Sequence, residues 1–191
     1  MKMTNPALLA VLGSALGSFP LSGCHTPEKP VATTAERIAS VADFERLKML
    51  SGDWYLISGV RLGVELEPNL EEPLVSYVVG SEGRSVVEKC FVGGPEETTS
   101  VYYLDSGRLM MDHRCSQGHQ TRMVASSHAG NQIDFRPVGM SDPGDQDELH
   151  LSFHALVFDG PNELTAEWGS TRGGVAGAAI RYTVERPDSG R

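Results

Sequence analysis

Residues 98–116 read Thr98-Thr99-Ser100-Val101-Tyr102-Tyr103-Leu104-Asp105-Ser106-Gly107-Arg108-Leu109-Met110-Met111-Asp112-His113-Arg114-Cys115-Ser116. Two runs of strand-forming composition flank Asp105-Ser106-Gly107, a turn signal of the kind that joins hairpin strands. Along the second run, Leu109, Met111, His113 and Cys115 share one parity, and Met110, Asp112 and Arg114 the other. Successive strand side chains point to opposite faces, so these two sets lie on opposite sides of a sheet. The charged set belongs in water, which turns His113 and Cys115 inward.

The same period of two recurs on both sides of this hairpin. Strand-like runs fall near 53–60, 74–80, 84–92, 120–128, 131–137, 148–158, 163–169 and 179–186. Turn signals separate most of them: Gly80-Ser81-Glu82-Gly83, Ala129-Gly130-Asn131 and Asp159-Gly160-Pro161-Asn162. Longer loops are expected at Arg61–Glu72 and Gly139–Asp147. About ten short strands with no interleaved helices predict an all-β antiparallel meander. Closure into a barrel of about 8–10 strands removes the exposed edges, and a two-sheet sandwich is the other solution. Ahead of the strands, Ile38, Val41, Phe44, Leu47 and Leu50 recur every three residues among charges. This predicts a short amphipathic helix with its stripe against the barrel mouth.

The chain has 191 residues and a net charge of −9, with a mean hydropathy of −0.21. These values exclude a polytopic membrane protein and a wholly disordered chain. The acidic balance argues against a nucleic-acid partner, which would need a basic stripe along phosphates. At the N-terminus Lys2 precedes an apolar run from Ala7 to Leu16, followed by Leu21-Ser22-Gly23-Cys24. The run is too short to span a bilayer and has the form of a secretory signal. Leu-Ser-Gly-Cys resembles the bacterial lipobox. That resemblance implies cleavage before Cys24, a diacylglyceryl group on its thiol and acylation of the new terminus. The expected organisation is a signal peptide over 1–23, a lipidated tether over 24–34 and a barrel domain over 35–191. The expected location is the bacterial cell envelope. His25 after the lipidated residue favours the periplasmic face of the outer membrane.

Gly52-Asp53-Trp54 opens the first strand and resembles the Gly-x-Trp motif of lipocalins and related calycins. The resemblance implies that Trp54 plugs the barrel floor and stacks on an arginine from a late strand, Arg181 first and Arg186 second. A longer likeness carries more detail. Val86-Val87-Glu88, Val101-Tyr102-Tyr103-Leu104-Asp105, Arg108-Leu109-Met110, His113-x-Cys115-x-x-Gly118-x-Gln120-x-Arg122-Met123 and Leu164-x-x-Glu167-Trp168 occur in that order. Together they resemble a bacterial lipocalin-like family of uncharacterised function, over roughly Gly52 to Trp168. This chain departs from the family pattern at Arg114, His119 and Thr121. The family implies a fold and no activity.

Parity also turns Glu88, Tyr102, Met123, Leu164, Ala166 and Trp168 inward. Glu88, Tyr102 and His113, with Gln120 from the shared motif, are the candidate polar anchor for a small apolar or amphipathic ligand in the barrel. The same Glu88, Tyr102 and His113 could serve as acid–base groups of a hydrolase or isomerase, or as a satisfied network in a filled structural barrel. No motif calls for a cofactor or metal. His150 and His154 share a strand face about 13 Å apart, too far to bind one ion. Asp142, Asp145, Asp147 and Glu148 crowd one loop without the spacing of a calcium-binding loop. In a meander, Cys90 and Cys115 lie on strands two spacings apart, about 10 Å, beyond the reach of a disulfide.

The lipobox reading is checked by metabolic labelling with palmitate. Wild type should incorporate label and Cys24→Ser should not; equal labelling of both proteins overturns it.

Overall fold

The computed structural model describes residues 31–140, 150–173, 175–177 and 179–187. Cys24, the signal and the rest of the tether before Val31 lie outside the described residues, as does the acidic loop with Asp142, Asp145, Asp147 and Glu148.

One helix precedes the sheet: α1, Thr34–Lys48. Thr33 caps it. Its side chain accepts from the Glu36 N–H at 3.2 Å, and the Glu36 carboxylate accepts from the Thr33 N–H at 2.7 Å. This reciprocal Thr-x-x-Glu box satisfies two of the free donors of the first turn.

Twelve strands follow: β1 (Gly52–Arg61), β2 (Val64–Glu65), β3 (Val75–Gly80), β4 (Ser85–Cys90), β5 (Thr98–Asp105), β6 (Arg108–Arg114), β7 (Gln120–Ala129), β8 (Gln132–Met140), β9 (His150–Phe158), β10 (Glu163–Arg172), β11 (Val175–Ala176) and β12 (Ile180–Glu185). Ten of them form a closed antiparallel ring in the order β1-β3-β4-β5-β6-β7-β8-β9-β10-β12, and β12 pairs back onto β1. The two-residue strands β2 and β11 flank β1 and β10. The meander barrel expected from periodicity is therefore the fold. The hairpin between β5 and β6 turns through Ser106 (φ 53°) and Gly107 (φ 78°). Two consecutive positive φ values match the right-handed twist of the strands they join.

The helix crosses one end of the ring, where the β5–β6, β7–β8 and β9–β10 turns gather. Arg46 lies 4.1 Å over the Phe158 ring and donates to the Gly130 carbonyl at 3.4 Å. Asp43 meets His128 Nδ1 at 2.5 Å. Phe44, Leu47 and Leu50 face the barrel core, whereas Ile38 and Val41 are 67% and 46% exposed. The expected five-residue stripe thus splits. A three-residue repeat falls about 60° short of a full turn at each step, so the stripe winds off the buried face.

Beside this cap, Trp54 is fully buried and donates Nε1–H to the Leu50 carbonyl at 2.7 Å. The arginine over its ring is Arg186, at 4.9 Å. Arg186 also donates to the carbonyls of Met49, Ser51 and Pro161, which ties the helix exit to the β9–β10 turn. Arg181, the expected partner of Trp54, stands exposed instead, because Tyr182 and Val184 take the inward parity of β12.

Leu47→Ala should cost about 2–5 kcal/mol of unfolding free energy in urea melts. Ile38→Ala should stay within about 0.5 kcal/mol. Equal costs would contradict this placement of the helix.

Candidate functional site

The inner wall of the barrel is apolar near the helix and turns polar and aromatic halfway along. Glu88 (β4), Tyr102 (β5), His113 (β6), His154 (β9), Trp168 (β10), Tyr182 (β12) and Tyr77 (β3) all point inward, as parity requires for each strand. Six of the seven are at most 5% exposed, and Trp168 is 7% exposed. No water-sized space touches Tyr102 or His154, which are 0% exposed, or the Phe135 ring beside them.

Tyr102 Oη lies 2.6 Å from Glu88 Oε2 and 3.1 Å from His154 Nε2. His154 Nδ1 in turn lies 3.1 Å from the main-chain carbonyl of Glu167. The imidazole is stacked on Trp168 at 3.6 Å between ring centroids, and Phe135 covers its other side at 5.7 Å. His113 leans on Trp168 at 4.9 Å, and its Nδ1 is 3.0 Å from Ser100 Oγ. Tyr182 Oη accepts from Trp168 Nε1 at 3.4 Å and from Cys90 Sγ at 3.3 Å. Tyr77 Oη and Glu88 Oε1 are buried without a partner of hydrogen-bond geometry, although Tyr77 stands near enough to influence the carboxyl.

Burial sets the electrostatics, because a low-dielectric wall disfavours every charged form. It pushes the Glu88 carboxyl up to about 7, against smaller opposing effects from Tyr102 and Tyr77. It pushes the Cys90 thiol up to about 12 and lowers His113 and His154 to about 4 and about 3. At neutral pH both imidazoles are therefore uncharged.

Of the residues expected in the site, Glu88 and Tyr102 come into direct contact. His113 faces the same interior but engages Ser100 and Trp168 rather than Tyr102. Gln120 does not join them. It is exposed, opposite Arg114, on the outer parity of β7, whose inward residues are Thr121 and Met123. The partner that sequence reasoning missed is His154. Its parity with buried Leu156 was available, but His150 of the same parity drew attention to metal spacing instead. Among the described residues no three His, Cys, Asp or Glu side chains gather to hold a metal. Cys90 and Cys115 are both free thiols, and β5 separates their strands.

At the end of the barrel away from α1, Arg61 sits over the Phe91 ring at 4.9 Å and pairs with Glu96. Its Nε is buried without a partner. No protein-family model and no curated protein matches this sequence.

The Glu88 shift carries a stability signature. Its folded-state value lies above its ordinary 4.5, so the stabilisation is complete below about 4.5 and is lost as pH rises through about 7. The two histidines act in the opposite sense, with stability present above 6.5 and lost as pH falls through about 4 and about 3. Urea melts should therefore show Glu88→Gln gaining on wild type by roughly 3 kcal/mol between pH 4.5 and pH 8. A difference that stays flat across that range would mean an ordinary carboxylate.

Proposed function

We propose that this protein is a lipid-anchored, lipocalin-like envelope protein that binds a small amphipathic molecule at the barrel end away from α1. The ligand's polar head rests on the layer of Ser100, His113 and Trp168. One observation supports this above the rest: the layer groups a glutamate, two histidines and three tyrosines inside an apolar wall. Burying polar groups costs free energy that aliphatic side chains of the same volume would not, so such a layer marks a site more readily than a stability device. His113, Ser170 and Trp168 keep 5%, 8% and 7% exposure, which makes them the side of the layer nearest water. Leu151, Phe91 and Ile180 pack there as partly buried apolar surface suited to a ligand's tail. The lipobox at Cys24 supports anchoring at the periplasmic face of the outer membrane.

A specific observation favours a second reading, a filled barrel with a structural role. The deeper members of the layer, Tyr102 and His154, touch no free space. The same closure weighs against an enzyme working through Glu88 and Tyr102, since a substrate would have to displace the packing to reach them.

Titration with N-phenyl-1-naphthylamine, an uncharged probe that brightens in apolar surroundings, separates these readings. Wild type should give saturable fluorescence. His113→Ala should weaken binding about tenfold, the loss of roughly 1.4 kcal/mol, while its circular dichroism spectrum is retained. No saturable binding by wild type overturns the carrier reading and leaves the filled barrel.

A further inference from the structure

We propose that Glu88 stands in the layer as a neutral carboxylic acid, and that the ligand head group this layer accepts is uncharged, a hydroxyl or a carbonyl, because no buried cation is there to meet a carboxylate. The inference rests on the binding role proposed above and adds the chemical class of the ligand.

The argument is a count of protons along one chain of contacts. A main-chain carbonyl can only accept, so the 3.1 Å contact between Glu167 O and His154 Nδ1 places a proton on Nδ1. The imidazole lies between the faces of Trp168 and Phe135, with no carboxylate in contact. Burial of that kind keeps it neutral, and Nε2 is left with a lone pair. Nε2 must then accept from Tyr102 Oη, 3.1 Å away. A phenol has a single proton, and that proton is now committed. The 2.6 Å contact between Tyr102 Oη and Glu88 Oε2 still needs a proton between two oxygens. Only Glu88 can supply it. The chain therefore runs one way: Glu88 donates to Tyr102, Tyr102 to His154, and His154 to the Glu167 carbonyl. Reversing its sense would set a carboxylate and an imidazolium on either side of one phenol, both stripped of water, which costs several kcal/mol per ion.

An ionised ligand head would meet no compensating charge in this layer. Among the described residues no lysine or arginine is buried. Arg61, at the end away from α1, has its charge met by Glu96, although its Nε has no partner. Arg114 and Arg181 are exposed. The Ser100 hydroxyl, His113 imidazole and Trp168 ring offer dipoles and aromatic faces, which suit a neutral head.

Two measurements test this. Infrared spectra of wild type minus Glu88→Gln at about pH 5.5 should show the carbonyl stretch of a protonated carboxylic acid above the amide band, since ordinary carboxyl groups are ionised there. In parallel, 1-decanol should displace bound N-phenyl-1-naphthylamine at least about tenfold more effectively than decanoate, a difference of about 1.4 kcal/mol. Absence of the acid band overturns the assignment of Glu88. Decanoate competing as well as decanol overturns the ligand class and points to Arg61 as an anion hook. Failure of the probe to bind at all overturns the binding role and the head-group preference with it, while the infrared band still decides the state of Glu88.

Discussion

The imidazole of His154 is the fixed point of the interior. Its plane is set by the stack with Trp168 and Phe135, and both ring nitrogens are engaged, one by a main-chain carbonyl and the other by a phenol. A ring held in this way cannot turn over to swap its two nitrogens without breaking the stack. The orientation of each proton beyond it, through Tyr102 to Glu88, follows from that one placement. The residues concerned come from β4, β5, β9 and β10, so the network also fixes the register of strands on opposite sides of the ring. A slip of one residue in any of them would send its polar member into water and an outward residue into the wall.

The two ends of the barrel are built on different principles. At the helix end, closure is mechanical: Phe44, Leu47 and Leu50 fill the opening, while Arg186 joins the Trp54 ring to three separate carbonyls. At the other end the last inward residues are His113, Ser170 and Trp168, which remain slightly wet. Exposure therefore rises in the direction in which the wall becomes polar. A gradient of this kind lets one end open locally without loosening the other, since local opening is cheapest where the fewest apolar contacts must be broken.

The strands were legible because alternation along each one is a local property. Leu109, Met111 and His113 could be assigned to the inside from their neighbours alone, and so could Glu88 and Tyr102. What depended on relations between distant elements was less visible. The choice between Arg181 and Arg186 turns on the parity of Tyr182, in a strand that follows the glycine-rich run Gly173-Gly174-Val175-Ala176-Gly177 with no single sharp turn to mark its start. The pairing of Tyr102 with His154 spans 52 positions and is set by how the ring closes, so spacing pointed to the nearer His113. Gln120 was drawn in by its place in a motif, although its parity with Arg122 and against Thr121 placed it outside. The helix was recognised, but its face was not: a period of three was read as one stripe, where 3.6 residues per turn spreads it across two sides.

The first and last strands of the ring pair with each other. Until residues 180–185 are available, β1 has a free edge from Tyr55 to Arg61, where β12 will pair, and β10 has another. The meander can zip from hairpin to hairpin through local contacts, but its final seam joins residues 119 to 130 positions apart. Ring closure is therefore the slow, entropically costly step, and it waits on residues 180–185. Until that strand pairs on both sides, the whole sheet stays open and pliable along the seam. Late closure makes β12 the clasp of the ring: the stable fold is withheld until this one strand has paired on both of its sides.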